Sequence, residues 1–195
     1  IKLVSRGCDN FYHSFFIGRR DEIFVCGCNY RGQFGNGTKS ESSFKCMPTQ
    51  IDNTFITNNG DSIKDVQCGC RHSGILSTNG NLFCFGSNQY GQVGEQQEVE
   101  HLLSPKRVVH EHRIKSIKIG RFRTFFVDER ERLHGFGWND RGQLGVHQED
   151  ESVVLSDSVW GCRMIPFFKE SKIRKIECGS GHTLCVDEHG NCYVF

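Results

Sequence analysis

The sequence predicts an all-β protein assembled from repeated sets of short strands. Three observations carry this expectation. The 195-residue chain holds 22 Gly and 16 Phe but only 3 Pro, a composition suited to many short strands joined by tight turns. A glycine-rich element recurs along the chain. A second, strand-like element precedes each copy of it.

The glycine-rich element occurs as EIFVCGCNYRGQFGNG (22–37), NLFCFGSNQYGQVGE (81–95) and RLHGFGWNDRGQLGV (132–146). All three share an apolar alternation followed by G-x-N-x-x-G-Q-Φ-G, where Φ is apolar. The motif residues are Gly27, Asn29, Gly32, Gln33, Phe34 and Gly35 in the first copy. Gly86, Asn88, Gly91, Gln92, Val93 and Gly94 form the second, and Gly137, Asn139, Gly142, Gln143, Leu144 and Gly145 the third. Gly27, Gly86 and Gly137 are spaced by 59 and 51 residues, close to the period of large repeat units.

The preceding element reads IKDVQCGCRHSGILSTNG (63–80), IKSIKIGRFRTFFVDERE (114–131) and IRKIECGSGHTLCVDEHG (173–190). In each, an alternating strand meets Gly, then a short turn, then His or Arg followed by Ser or Thr, then an apolar strand. VSRGCDNFYHSFFIGRRD (4–21) is an earlier copy with three extra residues between Gly7 and His13. Units therefore begin at about 4, 63, 114 and 173, within one domain spanning 1–195. The last unit stops at NCYVF, before its glycine-rich element.

Period-2 reading gives three or four strands per unit. In the third unit these are 105–109, 114–119, 124–128 and 132–138. The stretches 39–62, 95–104 and 147–163 read as polar loops, which on a rigid scaffold are natural contact sites. Four short strands repeated at this spacing predict the blades of a β-propeller. A closed propeller needs about four to eight blades. The expectation is that the chain covers three to four blades of a larger ring. The remainder would come from a longer chain or from a partner, consistent with a start at Ile1 rather than Met.

With both motifs recurring in fixed order, the sequence resembles the regulator of chromosome condensation repeat family. The resemblance covers essentially the whole chain. It implies a propeller of usually seven blades, and protein partners such as a small GTPase or a chromatin protein. It also implies two function classes. One is a non-enzymatic interaction module, including an adaptor within a larger ligase or kinase. The other is a guanine-nucleotide exchange factor for a Ran-like GTPase. Exchange in the founding member uses a hairpin wedge, for which DSVWGCRMIPFF (157–168) is the candidate insertion here.

Composition excludes other classes. The 24 basic and 23 acidic side chains nearly cancel, leaving no electrostatic footprint for direct nucleic-acid binding or an anionic membrane. The acidic runs 95–100 and 147–151 and the basic run 169–175 read as solvated. No apolar run approaches the ~18–20 residues of a membrane helix. The 11 Cys are an odd number and lie mostly in apolar strands. That fits buried free thiols in a reducing compartment, cytoplasmic or nuclear, better than a disulfide framework.

Candidate chemistry is sparse. The G-x-G of GNGT lacks the Lys-Ser/Thr and the helix that a phosphate loop requires. Cys26-x-Cys28 and Cys68-x-Cys70, with His72 nearby, depart from C-x(2–4)-C zinc spacing, so neither a metal nor a cofactor is expected. His13, His72, Arg123 and His182 occupy one repeated position. Recurrence predicts a structural hydrogen bond, between adjacent blades or to a turn carbonyl, rather than catalysis. Tips that vary between copies are the candidate protein-binding residues: Tyr30, Arg31, Gln89, Tyr90, Asp140 and Arg141, with Trp160 from the 157–168 segment.

Overall fold

The structure is a computed structural model that describes residues 1–7, 12–40, 45–58, 60–146, 157–168 and 171–195. It contains four antiparallel sheets, each a simple meander. The first sheet comprises β1 (Leu3–Arg6), β2 (His13–Ile17), β3 (Ile23–Gly27) and β4 (Lys45–Ile51). The second comprises β5 (Ile63–Cys68), β6 (His72–Ser77), β7 (Leu82–Ser87) and β8 (His101–Arg107). The third comprises β9 (Ile114–Ile119), β10 (Arg123–Asp128), β11 (Leu133–Trp138) and β12 (Ser158–Met164). The fourth holds β13 (Ile173–Cys178), β14 (Thr183–Asp187) and β15 (Cys192–Val194). A single helical turn, α1 (Thr54–Thr57), lies between the first two sheets. The chain thus covers about four blades of a β-propeller, the expected fold class.

The core lies between blades, because each sheet can bury its faces only against its neighbours. Phe15, Ile23 and Phe34 of the first blade pack with Ile63, Ile75 and Phe85 of the second. Leu82 and Val93 pack with Ile117, Phe126 and Phe136 across the next boundary. Leu133 and Leu144 pack with Cys185 and Tyr193 across the third. The Φ residues Phe34, Val93 and Leu144 are all buried, each contributing roughly 1.5–3 kcal/mol by removal from water. Every repeat therefore drives one apolar plug into the following interface.

The outer strands differ from the sequence expectation. Residues 105–109 do not open the third unit: His101–Arg107 pairs with β7 and closes the second sheet. The stretches 39–62, 95–104 and 147–163 are not simple loops, since they contain β4 and parts of β8 and β12. The acidic run 147–151 and the start of 169–175 lie outside the described residues. β4 is exposed along most of its length and β8 over its second half, so the apolar alternation that marks a strand is missing there. Pro48 and Pro105 lie within β4 and β8, where an outer strand tolerates proline. The segment 157–168 is no projecting insertion. Its strand β12 pairs with β11, with Val159 opposite Gly137 and Met164 opposite His134.

The meander assigns the connections to two faces. The β1–β2 type turns and the β3–β4 type loops emerge on one face. The β2–β3 type turns and the blade-to-blade connections emerge on the other. Both repeated motifs belong to the first face.

Candidate functional site

The glycine-rich element is a folded turn held by its own polar side chains. The Asn29, Asn88 and Asn139 side-chain oxygens accept from the backbone N–H of Phe34 (2.9 Å), Val93 (3.4 Å) and Leu144 (2.9 Å). The Gln33, Gln92 and Gln143 oxygens accept from the N–H of Arg31 (2.7 Å), Tyr90 (2.8 Å) and Arg141 (2.9 Å). Gly86 has φ +107°, and a side chain there would place Cβ 2.5 Å from the Arg71 carbonyl oxygen. Only glycine fits such a position. The motif residues are thus consumed by architecture, which leaves the variable tips as its free chemistry.

The repeated His/Arg position ties each blade to the next. His13 Nε2 lies 2.7 Å from Ser73 Oγ, and Ser73 Oγ donates to the Gln33 carbonyl at 2.8 Å. His72 Nε2 lies 3.0 Å from Thr124 Oγ1, which donates to the Gln92 carbonyl at 2.9 Å. A hydroxyl has one proton. Having given it to the carbonyl, Ser73 or Thr124 must accept from an Nε2–H imidazole. Arg123 takes the same place at the third boundary, where Nε donates to Thr183 Oγ1 (3.2 Å) and Thr183 donates to the Gln143 carbonyl (2.7 Å). The longer guanidinium also reaches the carbonyls of Gly179 (2.9 Å) and Ser180 (3.0 Å). His13, His72 and Arg123 and the Ser73, Thr124 and Thr183 hydroxyls are fully buried. The bond runs both between blades and, through the hydroxyl, to the turn carbonyl. His182, on the fourth blade, is exposed.

The structure places the variable tips on one face but in different company. Tyr30 is 49% exposed, with the Arg31 guanidinium 5.7 Å from its ring centre. Arg31 Nη1 reaches across to the second blade, 3.1 Å from His101 Nε2 and 3.4 Å from Glu100. Gln89 is exposed, as are Asp140 and Arg141; Asp140 accepts from Gln143 Nε2 at 3.2 Å. Tyr90 is half-buried and joins Phe122 and Trp138, with ring centres 5.2 and 5.9 Å away. Trp160 sits on β12 against the previous blade: a Cβ on Gly91 would come 3.2 Å from its ring.

Sequence reasoning missed Phe122, Trp138 and Arg121. Arg121 lies 5.1 Å from the Phe122 ring centre and donates to Ser180 Oγ at 3.2 Å. Trp138 was readable as the end of a strand and Phe122 lies in the turn between β9 and β10; only the folded turns bring both beside Tyr90. Beside this cluster a cavity of about 300 Å³ opens among the inner strands, lined by Arg6, Gln67, Lys118 and Arg121. Lys118 is neutralised by Glu177 at 2.6 Å. Among the described residues no cysteine is disulfide-bonded. His72 beside the Cys68-x-Cys70 pair is committed to Thr124.

The regulator of chromosome condensation (RCC1) repeat model matches residues 20–76, 79–127 and 131–186. The chain belongs to this family. Each match runs from the third strand of one blade through the second strand of the next, so an RCC1 repeat spans the interface that the His/Arg bond closes. The chain is 26% identical over 197 residues to the ultraviolet-B receptor UVR8 of Arabidopsis thaliana, covering all of this chain and 41% of the receptor. It is 26% identical to the RCC2 homolog of Danio rerio, covering 90% of this chain and 38% of that protein. The fold is similar to Prp20p of Saccharomyces cerevisiae, with TM-score 0.81, 17% identity, and coverage of 95% of this chain and 43% of that one. The chain spans less than half the length of these relatives. No helix among the described residues is long and apolar enough to cross a membrane.

Proposed function

We propose that this RCC1-repeat chain is a non-catalytic protein-interaction module acting in the cytoplasm or nucleus. It binds its partner through the face bearing Tyr30, Arg31, Gln89, Tyr90, Asp140, Arg141 and Trp160. The observation that carries this reading is the half-exposed Tyr90–Phe122–Trp138 cluster beside Arg121. Tyr, Trp and Arg dominate the energetics of protein interfaces, and the repeated Asn and Gln bonds beneath hold these tips in place before any partner arrives, lowering the entropy cost of binding. Relatives with protein partners support the reading: the Prp20p structure is described with its binding to Gsp1p and histones. Alanine at Tyr90 and Arg121 should remove copurifying protein partners, while alanine at Arg113 and Lys172 on the opposite face should not. Equal retention by both sets would defeat the assignment.

A second reading, exchange on a Ran-like GTPase, is favoured by the likeness to Prp20p alone. The candidate wedge weighs against it, because 158–164 is a paired strand. An exchange factor at substoichiometric amounts would accelerate nucleotide release from such a GTPase; a scaffold would leave the rate unchanged.

A further inference from the structure

On the opposite side of the third blade, three metal-ligating side chains from separate elements converge. His110 comes from the β8–β9 connection, His134 from β11 and Cys162 from β12. One donor atom of each lies within 4.8 Å of the others. Cys162 Sγ is 3.7 Å from His134 Nδ1. Asp128 Oδ2 is 3.1 Å from His134 Nε2 and is held in turn by Arg132 Nε at 2.9 Å. The His134 ring is fixed by stacking on Phe126, with centres 4.8 Å apart and planes at 10°.

We propose that His110, His134 and Cys162 form a zinc site. The carboxylate is the second observation that points to a metal. Asp128 accepts the Nε2–H of His134, which leaves Nδ1 as the lone-pair nitrogen, turned to Cys162. A carboxylate behind a ligating imidazole is the arrangement that fixes tautomer and raises basicity at zinc centres. The His110 side chain is nine-tenths buried, and its Nε2 faces Asp128 Oδ2 at 3.6 Å, beyond a close hydrogen bond. Two imidazoles and one thiol suit the borderline-soft Zn²⁺, and the three bonds leave one position for water. Binding replaces the S–H bond of Cys162 with S–Zn, and the proton leaves to solvent. A cavity of about 150 Å³ lies on the far side of His110, lined also by His112 and Arg113. The ion would tie the outer strand β12 and the blade-to-blade connection to the body of the third blade.

Titration of the metal-free protein with Zn²⁺, followed by Co²⁺ substitution, tests this. One equivalent should bind tightly, and the Co²⁺ form should show thiolate-to-cobalt charge transfer with tetrahedral visible bands. Cys162→Ala should abolish the charge-transfer band. Cys162→Ala and His110→Gln should each weaken Zn²⁺ binding by at least about tenfold, since even outer-shell partners are worth roughly 10–100-fold. Cys46→Ala, at an exposed position on the first blade, should change nothing. Should Cys162→Ala fail to fold, His110→Gln, on a connecting segment, carries the same comparison. Unchanged affinity in His110→Gln, or a thiolate band that survives in folded Cys162→Ala, would overturn the assignment.

Discussion

His72 Nε2 lies 3.0 Å from Thr124 Oγ1, on the next blade. The same hydroxyl donates to the Gln92 carbonyl of the blade that carries His72. One side chain thus joins the turn motif of one repeat to the strand motif of the next, with all three partners buried. The two sequence motifs recur together because they meet at every blade boundary.

Thr124→Val removes that hydroxyl at nearly constant volume and strands both the imidazole and the carbonyl. The expected loss is about 1–3 kcal/mol, read by urea denaturation, with Thr124→Ser losing less than half as much. Equal stability of Thr124→Val and the parent would show that the bond contributes nothing.

Burial, with a smaller electrostatic contribution from His13, pushes the His72 pKa down to about 3 from an ordinary value of 6.5. Protons therefore bind the unfolded chain first as pH falls. The His72 contribution to stability is complete above about pH 6.5 and is lost as pH drops toward 3, by at most ~1.4 kcal/mol per pH unit. His72→Gln should flatten the stability profile in that window. An unaltered slope would place the acid sensitivity elsewhere.

Arg123 is the largest fully buried side chain described, and it faces carbonyls rather than a carboxylate. Arg123→Met would leave the Gly179 and Ser180 carbonyls and Thr183 without their donor. A loss of about 3 kcal/mol is expected, with hydrogen exchange accelerating first in β14. Exchange rising only in the first two blades would refute the coupling.

Gly86→Ala meets the Arg71 carbonyl at 2.5 Å in a left-handed backbone. It should cost at least about 1–3 kcal/mol from backbone strain alone. Gly142→Ala also has positive φ, but nothing lies within 4 Å of its Cβ; it should cost less. Thermal midpoints of the two variants give the comparison, and a milder Gly86→Ala would contradict the packing described.

Inner strands and turns were legible because repetition exposed them: Asn29, Asn88 and Asn139 do one job three times. The outer strands were read poorly: β4 is exposed along most of its length, and the part of β8 that was read, from residue 105, was assigned to the wrong blade. A strand recruited by its neighbour's hydrogen bonds needs no apolar alternation of its own. Tyr90 was legible as a variable tip. Phe122 and Trp138 were not, because strand periodicity says nothing about which residues meet beyond a turn. His110, His134 and Cys162 were hidden for the same reason, being far apart in sequence and together only in the third blade.

The face carrying Tyr90 is the proposed contact with a protein partner. The most direct measurement places a photo-crosslinking amino acid at Gln89 or Arg141, and separately at Arg113 or Glu188 on the opposite face, in living cells. Discrete protein adducts are expected from the first pair and none from the second. Adducts confined to Arg113 and Glu188 would contradict it.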